Sequence, residues 1–276
     1  ADALLVFDQQ GVIESMNTAA QRLFGWDARE VVGKSVTLLL RGSACDDTQS
    51  EHGVRDWIAC LEATAADLLG VRRDGKTFPL AVSLNRVTEQ SGVRGVALMR
   101  DVTRDRLAER AMSTFIAETS NVTGREFIHA ATRALAQALG VRYAFIASSC
   151  EGSEALRIVS LWSGHAHEPE CTYDPAPEPC SDVFGKELAV HADGVRNLYP
   201  ASVLVARMQA RSYVGHPIRA ANGKALGIIA LMDVNPLSET ALAVSLVSFA
   251  AARVSAEFER LDADNALLRS RERLEL

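Results

Sequence analysis

Two thiols and a short run of imidazoles are the residues whose types and spacing could do chemistry. The segment Cys171-Thr172-Tyr173-Asp174-Pro175-Ala176-Pro177-Glu178-Pro179-Cys180-Ser181-Asp182-Val183 carries both thiols. A helix starting at Pro179 would hold the Cys180 thiol against the positive end of a peptide dipole, which lowers a thiol pKa and makes a nucleophile. Cys171 and Cys180, with Cys150, would then form a redox set. The competing reading is a free cysteine packed as a small hydrophobe, and the sequence favours it. His165-Ala166-His167 with Cys171 has the residue types of a metal site but lacks the second ligand pair of a structural zinc centre. His52, in Ser50-Glu51-His52-Gly53-Val54-Arg55-Asp56-Trp57, stands at the expected start of a helix.

Turn chemistry marks the frame that must position these groups. Arg72-Arg73-Asp74-Gly75-Lys76 reads as a hairpin, with Asp74-Gly75 expected in a type I′ turn. Beyond it Phe78, Leu80, Val82 and Leu84 alternate with Thr77, Ala81, Ser83 and Asn85, as in a strand with one buried face. A further strand opens at Gly92-Val93, closes at Arg100-Asp101-Val102-Thr103 and runs into a helix over 102–123. There Val102, Leu107, Ala111, Phe115 and Ile116 make the expected apolar stripe. After Gly124 the spacing of Phe127, Ile128, Ala131, Leu135 and Leu139 predicts a second helix, stopped at Gly140. Strands are expected at Tyr143–Ser148, Ala155–Leu161, Ser212–Ile218 and Ala225–Asp233. Asn222-Gly223 marks the hairpin between the last two.

The first 104 residues resemble a PAS domain. The resemblance rests on Ala1-Asp2-Ala3-Leu4-Leu5-Val6-Phe7-Asp8 with the turn Gln9-Gln10-Gly11, and on Asn17-Thr18-Ala19-Ala20-Gln21-Arg22-Leu23-Phe24-Gly25-Trp26. Glu30-Val31-Val32-Gly33-Lys34, the Arg-Arg-Asp-Gly hairpin and Asp101-Val102-Thr103 complete it. The second half resembles a GAF domain, on the helix–strand–strand opening, Ser212-Tyr213-Val214-Gly215-His216-Pro217-Ile218, and the Asn-Gly hairpin leading into Leu226-Gly227-Ile228-Ile229-Ala230-Leu231-Met232-Asp233. The fold class expected is α+β: two domains, each a central antiparallel sheet flanked by helices, joined and ended by long signalling helices. The boundaries expected are PAS 1–104, linker helix 105–123, GAF 124–245 and a C-terminal coiled-coil helix 246–276.

The resemblance implies where a ligand would sit. In haem-binding PAS sensors a histidine matching His52 ligates iron, and arginines one or two turns later pair with the propionates. Here Ile58, Ala59, Cys60 and Leu61 follow, with no arginine after Arg55 until Arg72, so His52 reads as a surface or capping residue. The reactive-cysteine motif of flavin photosensors is absent, as are the cysteine–histidine and Asp-Ile-Pro motifs of bilin-binding GAF domains and the glycine-rich motifs of GAF-type methionine sulfoxide reductases. No flavin or bilin is expected, and the cofactor stays open. By fold analogy a small ligand would be edged by His52 and Trp57 in the PAS half, and by Tyr173, Cys180, Asp182, Tyr213 and His216 in the GAF half. Arg73, Asp101 and Thr103 are the expected signal relay, through a hairpin salt bridge to Asp101 and a cap on the outgoing helix.

The C-terminal helix carries Val247, Val254, Leu261 and Leu268 every seven residues, with Ala251, Phe258 and Asn265 at the companion positions. That repeat predicts a left-handed coiled coil whose seam Asn265 fixes as two-stranded, hence a homodimer. The chain is long enough for two cores at 276 residues. A net charge of −6 argues against nonspecific nucleic-acid binding, which needs clustered lysine and arginine. Five cysteines without paired spacing fit a reducing cytoplasm. No apolar stretch reaches the ~18–20 residues of a membrane span. The chain starts in a strand without Met, so a longer protein is expected, with an output domain beyond the last helix. No kinase phosphoacceptor segment, nucleotide-binding glycine loop or cyclic-di-GMP signature is present. The expectation is a sensory module, not an enzyme, from a histidine kinase or cyclic-di-GMP protein. It would detect a small ligand, redox state or partner, with a thiol-dependent GAF redox enzyme or a ligand-free scaffold as alternatives.

Overall fold

The computed structural model describes residues 2–41, 68–89, 92–150 and 152–274, without the side chains of 89, 265 and 267–274. It divides into two compact units, 1–107 and 108–276.

In the first unit the strands run β2-β1-β6-β5-β4-β3 across one antiparallel sheet. They are β1 (Ala3–Phe7), β2 (Ile13–Met16), β3 (Leu40–Arg41), β4 (Leu69–Val71), β5 (Thr77–Glu89) and β6 (Gly92–Asp101). Alternation buries Leu5, Phe7, Phe78, Leu80, Ala97 and Met99 on one face, against Phe24 of helix α1 (Thr18–Phe24) and Val31 of α2 (Ala28–Val31). The β4–β5 hairpin corrects the type I′ expectation. Gly75 alone of its turn has positive φ (+81°), Gly75 N donates to Arg72 O, and Arg72 N donates to Lys76 O. That is a type I turn closed by a left-handed glycine, a three-residue loop, because Asp74 keeps negative φ and accepts from Lys76 N instead. Asn222-Gly223 builds the same loop, with Gly223 at φ +84° and Asn222 accepting from Lys224 N.

The second unit has a sheet ordered β10-β8-β7-β13-β12-β11, with β9 also on β8. Its strands are β7 (Tyr143–Ser149), β8 (Leu156–Trp162), β9 (His167–Glu168), β10 (Cys171–Tyr173), β11 (Ala189–His191), β12 (Ser212–Arg219) and β13 (Ala225–Asp233). Both faces are buried, which is why β13 reads as a continuous apolar run. Ile229 and Leu231 enter a core with three helices: α3 (Thr103–Thr119), α4 (Gly124–Leu139) and α7 (Thr240–Leu274). Ile228, Ala230 and Met232 enter a second core with Cys180, Val183, Leu204 and Val205, under helices α5 (Val195–Leu198) and α6 (Val203–Arg207).

Two helix expectations need correction. On α3 the buried stripe is Ala111, Phe115 and Thr119, while Leu107 and Ile116 are exposed. Phe115 meets Phe249 edge-on at 5.9 Å. On α7, Ala243, Leu246, Val247, Ala250, Ala251 and Val254 are buried in this unit's own core. Val247 and Val254 therefore pack on their own sheet rather than in a dimer seam, and the expected boundary at 245/246 falls inside a core helix. Thr240–Asp264 is also long and apolar enough to pass for a membrane span by length and composition, correcting the expectation of none, and 33% of that stretch is buried in the fold. Phe258 is partly buried against the core and Leu261 is half-buried. Asn265 and Leu268 lie on the helix with side chains outside the described residues.

Candidate functional site

At the exit of the first unit, one carboxylate joins hairpin to helix. Asp101 Oδ2 is 2.8 Å from Arg72 Nη2, while Asp101 Oδ1 accepts from Thr103 N at 2.9 Å and Thr103 Oγ1 at 2.5 Å. Arg72 also donates to the carbonyl of Leu23, and its guanidinium lies 4.2 Å over the Phe78 ring. The side chain is thus held by charge, by a backbone acceptor and by an aromatic face. Arg73, the arginine assigned to the relay, turns the other way. It forms a two-point pair with Glu30 at 3.0 and 2.8 Å and stacks 5.1 Å from Trp26. Arg72 opens the turn beside the sheet and Arg73 is its first central residue, and the two guanidiniums go to different partners.

In the second unit Tyr173, Cys180 and Tyr213 converge. Cys180 and Tyr213 are fully buried, and Tyr213 Oη donates to Cys180 Sγ at 3.7 Å. Tyr213 lies over Gly215, where a Cβ would overlap the phenol and Val183. Tyr173 Oη is buried beside the thiol without a hydrogen bond of acceptable geometry. Burial pushes the Cys180 thiol up to about 12, outweighing the two phenols that favour its thiolate, and the neighbouring Glu178 adds to the rise. Pro179–Asp182 is a single 3₁₀ turn rather than a helix start, so no dipole offsets that burial. Cys180 thus packs as a small buried residue, the reading the sequence favours over a low-pKa thiol.

Glu178 fixes this loop. Its buried carboxylate accepts from Ser202 Oγ, from Val203 N at 2.9 Å and from Leu204 N at 3.2 Å, at the start of α6. Asp182 lies at the rim, where it accepts from Tyr199 Oη, and His191 Nε2 is 3.4 Å from the same phenol. Burial first, and the bond to Asp182 second, raise the Tyr199 pKa to about 12. Sequence reading missed Glu178, Tyr199 and His191 as site residues, since only the fold brings 178, 191, 199 and 202 together.

The family model for the PAS domain matches residues 1–104, and that for the GAF domain matches residues 123–258. The chain is a tandem PAS–GAF sensory region. It is 28% identical over 163 residues to the sensor protein FixL of Bradyrhizobium diazoefficiens, covering 56% of this chain and 31% of that protein. The PAS–GAF chain thus spans about a third of that curated relative. Among solved structures it is similar to the chromophore-binding domain of R. palustris bacteriophytochrome RpBphP3, at 13% identity and TM-score 0.47, covering 96% of this chain and 94% of that one. The chromophore-binding domain of Stigmatella aurantiaca phytochrome P1 gives 13% identity and TM-score 0.44, covering 92% and 93%.

The structure of the PAS–GAF region sorts the predicted site residues. His52 and Trp57 lie outside the described residues. Tyr173, Cys180 and Tyr213 come together on the α5–α6 face of the GAF sheet, with Asp182 at their rim. His216 does not join them. It sits an odd number of residues from Tyr213 on β12, on the face that sends Val214 and Ile218 toward α4 and α7. Its Nδ1 lies 2.7 Å from Pro217 O.

Proposed function

We propose that this PAS–GAF region is the input of a longer cytoplasmic sensor histidine kinase and works as a homodimer. In this reading a small ligand at the GAF interior, or a change in the PAS sheet, biases the equilibrium between two settings of α3 and α7. The observation that carries it is Asp101. One carboxylate both receives the hairpin arginine and caps α3 through Thr103, so the sheet and the outgoing helix share an anchor. The similarity to FixL supports the kinase output, and α7 runs on past its last core contact, Phe258, to Leu274. The seam assigned to Val247 and Val254 then reduces to Leu261, Asn265 and Leu268. The redox-enzyme alternative loses its nucleophile in the buried thiol.

The test fuses the whole chain, in helical register at Leu274, to an autophosphorylating kinase core. Asp101→Asn changes the autophosphorylation rate at constant dimer content if the reading holds. An unchanged rate, with wild-type stability and dimerisation, refutes it.

A further inference from the structure

Two histidines far apart in sequence share one buried hydroxyl. His129 on α4 puts Nδ1 3.0 Å from Ser160 Oγ on β8, and His167 on β9 puts Nδ1 3.4 Å from the same oxygen. Thr132 Oγ1 is 2.8 Å from it on the third side. The imidazole rings stand edge-on at 4.5 Å, and Trp162 packs on His167 at 5.1 Å. Ser160 and Thr132 are fully buried. Thr132 Oγ1 donates its one proton to His129 O at 3.0 Å, so the Ser160 hydroxyl donates to Thr132 and has only lone pairs left for the imidazoles. Both rings can then donate from Nδ1 while neutral. A second charge at this ring separation would face its like.

The charged groups around the pair do not offset an added proton. Arg125 and Glu170 face His129 and are paired with each other. Arg133 faces His167 and is committed to Glu118 of α3 at 3.0 and 3.2 Å. Glu168, beside His167, is paired with Arg207. We propose that His129, Ser160 and His167 form a proton-operated latch, which holds α4 on the β8–β9 edge through the two Nδ1 donors and loosens it when the second imidazole is protonated at Nε2, so that two like charges stand ring to ring. Arg133 carries the movement to α3 through Glu118. Burial, then Arg125, lowers the His129 pKa against an opposing Glu170. Burial, then His129 and Arg133, lowers that of His167 against a backbone bond at Leu161. The sign follows: the folded state binds fewer protons than the unfolded chain, so the latch is intact above the ordinary value of 6.5 and is lost as pH falls from there through the lowered values.

The test measures amide exchange in α4 of the whole chain from pH 7.5 to 5, corrected for the chemical exchange rate. The opening constant of α4 amides rises about tenfold for each unit by which the pair is depressed. In His129→Gln/His167→Gln it stays flat. Equal pH slopes in the two proteins overturn the latch. Imidazole NMR of the wild-type chain gives a second reading that needs no variant. Coupled titration below 6.5 supports the proposal, and two independent midpoints at 6.5 refute it.

Discussion

Arg72 reaches Asp101 across 29 residues of sequence and meets it at 2.8 Å, beside the first turn of α3. The pair is about a third exposed, so its Coulomb attraction alone is worth roughly 1 kcal/mol or less. Its importance lies in the geometry. Asp101 Oδ2 holds the arginine while Oδ1 holds Thr103, so the arginine and the helix cap together fix the orientation of one side chain. Loss of either partner frees the carboxylate to rotate away from the other.

Gly95 tests the PAS sheet that the joint rests on. It stands opposite Phe7 across β1 and β6, and the Phe7 ring occupies the space a Cβ would need. Gly95→Ala is expected to destabilise the PAS half by about 1–3 kcal/mol through overpacking. At Gly75 nothing lies in the way, so Gly75→Ala costs only the left-handed backbone, about 1 kcal/mol. Urea unfolding midpoints should rank the two in that order.

Cys180 should resist thiol reagents in the folded protein. Cys150 and Cys171 are partly exposed and should react first, and Cys180 only on unfolding. Mass mapping after a short pulse of iodoacetamide at pH 8 checks this. Fast native labelling of Cys180 would restore the nucleophile that burial removes.

Glu257 links α7 to the start of α4. Its carboxylate accepts from Gly124 N and from Arg260, and the bond to Arg260 is the main reason its pKa falls below 4.5, with burial opposing and Gly124 assisting. A lowered carboxyl pKa stabilises the fold above 4.5, and that stability is lost as pH falls through the lowered value. Glu257→Ala should therefore lower the GAF unfolding midpoint at pH 7, by about 1 kcal/mol for a lost helix-start acceptor. The deficit should shrink as pH falls from 4.5 through the lowered value. A deficit independent of pH would mean that packing, not charge, is lost.

Val254 and Leu261 separate fold from assembly. Val254→Lys buries a charge in the GAF core and should unfold that domain. Leu261→Lys should leave the fold intact and weaken the proposed dimer, visible by light scattering over a dilution series. A Leu261→Lys protein as dimeric as wild type would remove this seam from the account.

The architecture was largely legible because local chemistry announced it. The Asp-Gly and Asn-Gly loops, the Phe78–Leu84 alternation and the α4 stripe each follow from short-range geometry. The α7 seam misled for a physical reason. Val247 and Val254 are seven apart, and a helix of 3.6 residues per turn drifts only about 20° over that span, so a core stripe and a coiled-coil seam look alike. Strand parity already separated His216 from Tyr213, three residues away on one strand. The Arg72 and Arg73 assignments required knowing how the turn sets each guanidinium, one toward Asp101 and the other toward Glu30. The pairings of Glu178 with α6 and of His129 with His167 join segments far apart in sequence, and periodicity cannot see them.

The central claim is that hairpin and helix share Asp101, and a double-mutant cycle read by hydrogen exchange tests it most directly. Amides at the start of α3 would be followed in Arg72→Ala, Asp101→Asn and the double variant, with β1 as the internal control. The account predicts that Arg72→Ala alone speeds exchange in that first turn, that the two changes are strongly non-additive, and that β1 is unaffected. Unchanged α3 exchange in Arg72→Ala, or simple additivity, would contradict it.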